Sequence, residues 1–511
     1  MNTPGEKLVI GIDSSTQSTK AIAWNRAGHA VAEGRAPIPL LNPSLDYFEQ
    51  NPADWWSACR DSLRALFRRV DPEHVEALAI SNQRETIAFL DENGAAVRPA
   101  MVWLDERARP QIDELCAILG AENIHRITGR PPDVTPVAYR LLWMKTHRPA
   151  EYARTARFAD VQCFLVHRLC GGWKTGWISA DPTGLYDLEG KRWSPEILDA
   201  LGLSTDRLPE ALPPGAPLGQ VTGAAAAQTG LRAGTPVFAA GGDGQLAGLG
   251  TDCTRADRAY VNLGTAVVSG VWSPDYCLGD AWRTELAAQG EGYILENCLR
   301  TGAFLVNWFV ERFTAEGRQD SNVFDKLERA AAEIPIGCDG LMTQPYWSGV
   351  MDPHWDAGAR GCITGFRGAH TPAHVYRSLI EGMTLDQVMR TARLEAQAGL
   401  EIKEYLAIGG GAASPLWRQM LADASGKQVL VSDTLEASAL GAGMIAATGA
   451  GWYATITEAA HAMAGTTSPI DPHPAHGARY RALLDIYADL YGATAGINRR
   501  LDAFAAKAPA P

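Results

Sequence analysis

Residues 13–20, "DSSTQSTK", combine an acid, several hydroxyl groups and a lysine between two apolar runs. In a turn of this kind, Ser15 and Thr16 can donate backbone N–H and hydroxyl groups to phosphate oxygens, and Lys20 can neutralise their charge. Asp13 can bind Mg²⁺, directly or through water, because this cation prefers oxygen ligands and keeps several waters. The simpler alternatives are an Asx turn that closes a hairpin and a lysine that points to solvent.

A second stretch, "NLGTA" at residues 262–266, has the same plan. Thr265 follows Asn262 by three positions, as Thr16 follows Asp13, and an apolar run stands on either side. This correspondence favours two domains of similar plan. The alternative for both threonines is their ordinary preference for strands.

Three glycines at 409–411 follow the apolar run "YLAI", and Ser414-Pro415 then begins a helical pattern. Glycine between a strand and a helix lets backbone N–H groups come close to phosphate, so Gly410 and Gly411 are candidate nucleotide contacts. Close packing of backbone explains a glycine triplet equally well. The chain contains no GxxxxGK[ST] motif, and no GxGxxG motif follows its first strand.

Asp243 follows Gly241-Gly242 at a predicted turn from strand to helix. A carboxylate there could accept a proton from a reacting hydroxyl. It could also simply cap the helix that follows, and the residues alone favour the cap.

Two polar pairs with an indole could bind a polyhydroxylated substrate. Arg84 and Glu85 follow a predicted strand, and "VWLDERA" supplies Trp103, Asp105 and Arg107. A polyol needs paired donors and acceptors for its hydroxyls and an apolar face for its carbons. The alternative is a set of exposed surface ion pairs.

The elements that must position these residues alternate along the chain. "KLVIGID", "STKAIAW" and "VEALAISNQ" predict strands, and residues 51–70 predict a helix with Pro52 in its first turn. This alternation is typical of α/β architecture. The Pro- and Gly-rich segment 201–223 predicts a long surface connection.

Length, net charge and composition restrict the class of protein to which the chain can belong. A chain of 511 residues favours two or more domains, and its net charge of -12 argues against a nucleic-acid partner. The nine cysteines include no CxxC pair, and the eleven histidines include no HExxH motif. These counts predict free thiols in a reducing cytosol and no structural metal site. The uncharged stretch 437–457 is rich in Ala and Gly, and therefore predicts a buried helix and not a membrane span.

Together these segments resemble one family, the FGGY carbohydrate kinases, of the superfamily shared with hexokinase, actin and heat-shock ATPases. The resemblance extends from about Leu8 to about Tyr453, with the segments in the family's order. They are "GIDSSTQSTK", "YFEQNPADWW", "RLLWMKTH" (with Arg140 where lysine is usual), "GGDGQLAGLG", "NLGTA", "PYWSGVMDPHWDAGARGCITG", "RSLIEGM" and "IGGGAASPLWRQMLAD".

The resemblance implies two ribonuclease H-like α/β domains of the actin/hexokinase type, each a mixed sheet with helices on both faces, separated by an active-site cleft. We expect an N-terminal domain at 1–252, a C-terminal domain at 253–485 and a terminal helix and tail at 486–511.

The resemblance also implies roles for the candidate residues. It makes Asp243 the catalytic base and a sugar contact, and it places Asp13 on the metal side of the first phosphate loop. It makes "NLGTA" the second phosphate loop, in which Gly264 and Thr265 would approach the same phosphate chain from the opposite side. Ser414 and its helix would form a wall of the adenosine pocket. ATP and Mg²⁺ are the implied cofactors.

Two sequence patterns point to different sugars. Trp-x-Asp-x-Arg resembles the xylulokinases, whereas Gln83-Arg84-Glu85 resembles the glycerol kinases. We expect phosphorylation of a ketopentose, with D-xylulose first, and keep glycerol, ribulose or a sugar alcohol as alternatives. A non-kinase ATPase and a sugar-sensing repressor are weaker hypotheses. Further expectations are a cytoplasmic location, no membrane or nucleic-acid partner, and, from the family alone, a homodimer.

Overall fold

The computed structural model describes residues 5–314, 322–434, 436–465 and 467–505; the end of the predicted tail, 506–511, lies outside them. The described strands, in chain order, are β1 (Leu8–Ser14), β2 (Ser18–Trp24), β3 (Ala30–Pro37), β4 (Leu41–Ser44), β5 (Tyr47–Gln50), β6 (Val75–Asn82), β7 (Ile87–Leu90), β8 (Ala96–Met101), β9 (Arg157–Ala159), β10 (Lys174–Gly176), β11 (Tyr186–Asp187), β12 (Arg192–Trp193), β13 (Glu210–Leu212), β14 (Pro217–Gln220), β15 (Pro236–Phe238), β16 (Arg258–Leu263), β17 (Val267–Ser273), β18 (Arg283–Leu286), β19 (Tyr293–Leu299), β20 (Met342–Gln344), β21 (Cys362–Thr364), β22 (Glu404–Ile408), β23 (Gln428–Ser432) and β24 (Thr467–Ile470).

The described α-helices are α1 (Pro52–Leu66), α2 (Pro110–Leu119), α3 (Ala121–Thr128), α4 (Val137–His147), α5 (Pro149–Arg154), α6 (Val161–Cys170), α7 (Trp177–Ala180), α8 (Pro195–Leu201), α9 (Gly223–Thr229), α10 (Asp243–Gly250), α11 (Ala303–Phe313), α12 (Val323–Ala332), α13 (Pro372–Ala398), α14 (Pro415–Ser425), α15 (Ala437–Gly449), α16 (Ile456–Met463) and α17 (Gly477–Ala505). One helix, α17, therefore runs across the boundary expected at residue 485.

The first large sheet has the strand order β14-β15-β6-β1-β2-β3. Its three central strands, β15, β6 and β1, are parallel, and β2 returns from β1 as an antiparallel hairpin. All seven residues of β1 are buried because α1 and α6 pack on one face of the sheet and α15 packs on the other. A strand covered on both faces needs apolar residues at nearly every position, and "LVIGI" in β1 provides them.

The second large sheet, β18-β19-β17-β16-β22-β23-β24, repeats this hairpin. Strands β16 and β17 form the antiparallel pair, and β16 runs parallel to β22 as β1 runs parallel to β6. The predicted correspondence between the two hairpins is confirmed. Each of the two large sheets is mixed and has helices on both faces, which confirms the predicted fold class.

A five-stranded sheet, β4-β5-β8-β7-β9, is inserted within the first half, and it was not predicted. Helices α2 to α5 cover one side of it with an apolar cluster of their own. The loop after β8 carries Trp103 and Asp105. The insert therefore positions part of the candidate sugar site.

Helix α15 joins the two halves through backbone contact. A Cβ atom on Gly11 of β1 would lie 1.8 Å from the carbonyl oxygen of Ala439, and one on Gly441 would lie 2.1 Å from that of Leu246 in α10. Small residues thus bring α15 against both β1 and α10, as its composition predicted. Among the described residues, no helix is both long and apolar enough to cross a membrane.

The prediction that 201–223 is only a surface connection was wrong. The segment contributes β13 and the edge strand β14, and Leu203, Leu208 and Leu218 are buried. Its prolines and glycines mark turns between short strands, and leucines at the ends of those turns enter the core.

Candidate active site

The parallel strands of the first sheet gather three predicted segments at one edge. β1 ends at Asp13-Ser14, and the backbone N–H of Gln83, just beyond β6, donates to the carbonyl of Ser14 (3.0 Å). Asn82 N–H donates to the carbonyl of Gly241 (3.0 Å), two residues before Asp243. Carboxyl edges of parallel strands are where α/β proteins bind ligands.

Asp13 is only 8% exposed and accepts a hydrogen bond from the hydroxyl of Ser81 (3.0 Å). Burial, with the nearby charge of Asp243, raises the pKa of Asp13 to about 7, and the Ser81 hydrogen bond and Lys20 oppose this shift only in part. Asp13 and Asp243 are neighbouring acids, and a cation beside Asp13 would relieve their repulsion. Asp13 therefore fits the chemistry of a Mg²⁺ site, in which the phosphates and water would supply the other ligands. No group of three or more metal-binding side chains occurs within the described ranges.

The first loop is held in place from outside. The Gln50 amide donates to the carbonyl of Thr16 (2.6 Å), and the indole of Trp103 donates to the Thr16 hydroxyl (2.9 Å). Ser15 closes the turn through its backbone N–H and its hydroxyl, both to the carbonyl of Ser18 (3.1 and 3.0 Å). Ser15 does not adopt a positive φ, so it needs no glycine-like backbone.

Lys20 does not point freely to solvent. Its ammonium group pairs with Glu436, just before α15, and its side chain is 16% exposed. The pair joins the first loop's hairpin to the C-terminal half.

The second loop is fixed to the start of α11. The carbonyls of Gly264 and Thr265 accept backbone hydrogen bonds from Ala303 (2.7 Å) and Gly302 (2.8 Å). The Thr265 side chain is left exposed. A loop with anchored carbonyls and an open hydroxyl is suited to donate to an anion.

The glycine triplet lies against this second loop. Gly409 has φ +83, and a Cβ atom there would lie 2.3 Å from Oδ1 of Asn262. Gly410 begins a short 3₁₀ turn, Gly410–Ala413, and a Cβ on Gly411 would lie 2.8 Å from the carbonyl oxygen of Leu263. Only glycine allows this approach.

Ser414 caps α14, accepting from the backbone N–H of Trp417 (3.0 Å) while donating to Glu328. Its hydroxyl is therefore occupied within the protein, and any contact with nucleotide would come from the backbone around it.

Asp243 is the first residue of α10. Its Oδ1 accepts from the backbone N–H of Gly244 (2.9 Å) and lies 3.4 Å from Nε of Arg84. The side chain is 37% exposed, yet burial is the main cause of its raised pKa, which Arg84 opposes and Glu85 and Glu296 reinforce. A carboxylate that is accessible but poorly solvated is suited to accept a proton near neutral pH.

Arg84 and Glu85 do not form the exposed surface pair that was the alternative. The Arg84 guanidinium is 9% exposed and pairs with Glu285 and Glu296 of the C-terminal sheet. Glu85 pairs with Arg283 (3.1 Å) and has φ +46, a strained backbone for a non-glycine residue. Such strain concentrates at functional sites.

Trp103 and Asp105 lie in different environments. Trp103 is 37% exposed, whereas Asp105 has no exposed surface. Both oxygens of Asp105 are already bound, by the Arg107 guanidinium (2.6 to 2.9 Å) and by the backbone N–H of Phe48 (2.8 Å). Asp105 could therefore reach a sugar only if this buried pair opened.

The charged residues Glu285, Glu296, Arg283 and Arg130 were missed by sequence reasoning. Each is buried and lies within the ion-pair cluster around Arg84. One indication was available: Glu296 interrupts the apolar run "YILENCL", and an acid inside a strand of this kind must be paired if it is buried.

Solved structures share this two-domain arrangement. The xylulose kinase from Rhodospirillum rubrum matches with a TM-score of 0.89 at 27% identity, covering 96% of this chain and 100% of that one. Two mixed sheets, each with an antiparallel hairpin, and an acid beside the carboxyl edge of the first are the arrangement of a two-domain sugar kinase.

Sequence comparison gives the family. The models for the N- and C-terminal domains of the FGGY family of carbohydrate kinases match residues 8–250 and 259–450. The chain belongs to this family and is an ATP-dependent carbohydrate kinase.

Two curated relatives show the range of names within it. The xylulose kinase of Bacillus subtilis is 28% identical over 503 residues, 98% of this chain and 99% of that one. The autoinducer-2 kinase of Klebsiella pneumoniae is 29% identical over 507 residues, 95% of this chain and 94% of that one.

Proposed function

We propose that this chain transfers the γ-phosphoryl group of ATP to a hydroxyl of a ketopentose, with D-xylulose first. The observation that carries the proposal is the position of Asp243, beside Arg84 at the sheet edge that also holds Asp13 and the Thr16 loop. Relatives named xylulose kinase at 28% and 27% identity over almost the whole chain support the choice of sugar.

Each residue has a task in this mechanism. Asp243 accepts the proton of the attacking hydroxyl as the phosphoryl group is transferred. Thr16 and Thr265 donate to the phosphates from opposite loops, and Lys20 shares its charge between Glu436 and the phosphates. Backbone N–H groups at Gly264, Gly410 and Gly411 complete the phosphate contacts, and Ser15 keeps the first loop closed.

On the acceptor side, the indole of Trp103 provides an apolar face for the carbons. Arg84 and Glu85 lie beside the base, and they would bind sugar hydroxyls only in exchange for the buried partners they already hold. Asp105 supports this surface through Arg107. Mg²⁺, when bound beside Asp13, neutralises phosphate charge. Excluding water from this region prevents it from competing as phosphoryl acceptor.

The direct test is an ADP-release assay with Mg-ATP over ketoses, polyols and aldonates, and autoinducer-2 as a further acceptor. We expect acceptor-dependent ADP release with the highest kcat/KM for D-xylulose. A higher value for glycerol, ribulose, a sugar alcohol or another acceptor would replace the named sugar. Equal ADP release with and without every acceptor would contradict sugar phosphorylation altogether.

A further inference from the structure

A buried cluster of charges lies between the two halves, next to the candidate base. Three guanidinium groups and four carboxylates interlock at distances of 2.5 to 3.7 Å, and all are at most 9% exposed. The N-terminal half contributes Arg84, Glu85, Arg130 and Asp181, and the C-terminal half contributes Arg283 and Glu285 from β18 and Glu296 from β19.

Arg84 is the member of the cluster that touches Asp243. Its Nη1 donates to both oxygens of Glu285 (2.8 and 2.7 Å), and its Nη2 donates to Glu296 (3.0 Å). Its Nε lies 3.4 Å from Oδ1 of Asp243. A guanidinium is a rigid, planar fork, so holding its two terminal nitrogens also fixes the direction of Nε.

The backbone on both sides of the base is shaped around this side chain. A Cβ atom on Gly242 would lie 2.8 Å from Cδ of Arg84, and one on Gly244 would lie 2.9 Å from its Cζ. Glycines on both sides of Asp243 therefore leave the space in which the guanidinium lies.

The stability of the fold does not explain the cluster. Buried ion pairs contribute little net stability, because desolvation offsets their attraction. Here carboxylates outnumber guanidiniums, and burial raises the pKa of Glu285 although three arginines oppose the shift. The left-handed backbone of Glu85 adds about 1 kcal/mol or more of strain.

We propose that Glu285 and Glu296 are positioning residues for phosphoryl transfer: acting from the C-terminal half through Arg84, they fix the place and charge of Asp243. The base is then set for reaction only while β18 and β19 lie against the sugar side of the N-terminal half. This inference rests on the proposed role of Asp243.

The charged groups that face Asp243 decide the direction of the pH effect. Arg84 lowers the pKa of Asp243, whereas Glu85 and Glu296 raise it, and Asp13 is a neighbouring acid. Replacing Glu285 or Glu296 by glutamine leaves the Arg84 charge less neutralised, so the pKa of Asp243 falls. Arg84→Gln removes the attraction itself, so the pKa rises.

The test compares Glu285→Gln, Glu296→Gln and Arg84→Gln in the full-length chain, using the best acceptor from the screen. For each glutamate variant we expect kcat to fall about tenfold or more, with an unchanged KM for ATP. The acid limb of the kcat/KM profile should move down by about half a pH unit, and in Arg84→Gln it should move up.

Asp386→Asn is the matched control, because Asp386 and its partner Arg390 form an equally buried ion pair on α13, away from Asp243. It should lower the melting temperature without moving the acid limb. If Glu296→Gln does not fold, Glu285→Gln alone decides, since Glu296 still holds Arg84 in that variant.

Two outcomes separate the claims. An active wild type whose glutamate variants lose stability but keep the wild-type acid limb overturns the positioning role alone. A wild type without acceptor-dependent ADP release overturns the proposed function, and this inference with it.

Discussion

The indole Nε1 of Trp103 donates a hydrogen bond to the hydroxyl of Thr16, 2.9 Å away. One residue belongs to the candidate sugar site and the other to the first phosphate loop. The contact therefore joins the candidate acceptor site to the candidate phosphate loop.

Removing this contact should impair both sides modestly. In Trp103→Phe a smaller aromatic ring replaces the indole and the donor is lost, and one hydrogen bond contributes about 0.5–1.5 kcal/mol. We expect kcat/KM to fall about threefold to tenfold, with changes in the KM values of both acceptor and ATP. Trp56→Phe is the control, since the Trp56 indole donates to Gln228 at a remote site. An effect confined to the acceptor would contradict the linkage.

We expect the ionised carboxylate of Asp13 to lower the stability of the fold. Its pKa is raised from 3.8 to about 7, so the folded chain holds the proton more tightly than the unfolded chain. The contribution of Asp13 to stability is therefore greatest below pH 3.8 and is lost as the pH rises from 3.8 to about 7, by on the order of a few kcal/mol. Without nucleotide, we expect Asp13→Asn to melt higher than wild type at pH 8, with a smaller difference at pH 5, while kinase activity is lost.

The surface residue Asp61 is the control for this pH effect. Its hydrogen bond with Arg60 lowers its pKa, so Asp61→Asn should not raise the melting temperature at pH 8. An Asp13→Asn variant whose melting-temperature difference from wild type is equal at both pH values would contradict the prediction.

The glycine triplet should be intolerant of a single methyl group. At Gly409, alanine must adopt φ +83 and bring its Cβ to 2.3 Å from Asn262. Gly399→Ala is the matched control, because Gly399 has φ +66 and no atom within 4 Å of a Cβ. We expect Gly409→Ala to lose more stability than the control's approximately 1 kcal/mol and to raise the KM for ATP. Equal losses of unfolding free energy for the two variants, measured in urea, would contradict this prediction, because they would show that the second loop moves aside without cost.

Asp243→Asn should abolish turnover while leaving nucleotide binding largely intact. We expect kcat/KM to fall by about 10² to 10⁴, with ADP affinity, measured by calorimetry, within a few-fold of wild type. Exposed Asp206 provides the control, Asp206→Asn, which should keep full activity. Near-normal turnover of Asp243→Asn would end its assignment as the base.

The local parts of the site could be predicted from sequence because their patterns are local. Asp13 and Asn262 each end an apolar run and precede a threonine, and the hairpins follow from that pattern alone. The glycine triplet at 409–411 was found in the same way, since a strand followed by glycines restricts the backbone within a few residues, although only Gly410 and Gly411 were predicted as nucleotide contacts.

Contacts between distant segments could not be predicted. Nothing near Arg84 in the sequence indicates that its partners are Glu285 and Glu296, because the folding of the second sheet brings them there. Asp105 shows the converse problem: it was predicted as a sugar contact, but its nearest partner is Arg107, two residues away. Sequence shows which residues carry charge, whereas packing decides which charges neutralise one another.

The contact of α15 with β1 has a consequence for how this protein can diversify. Gly11 lies against the carbonyl of Ala439 with no side chain between them, and β1 reaches Asp13 two residues later. A larger residue at position 11 would displace the strand that carries this acid. The contact between β1 and α15 therefore tolerates little variation in sequence. The inserted sheet that carries Trp103 packs around a separate apolar cluster. We therefore expect that substitutions in the insert can change the acceptor without disturbing the candidate phosphate loop.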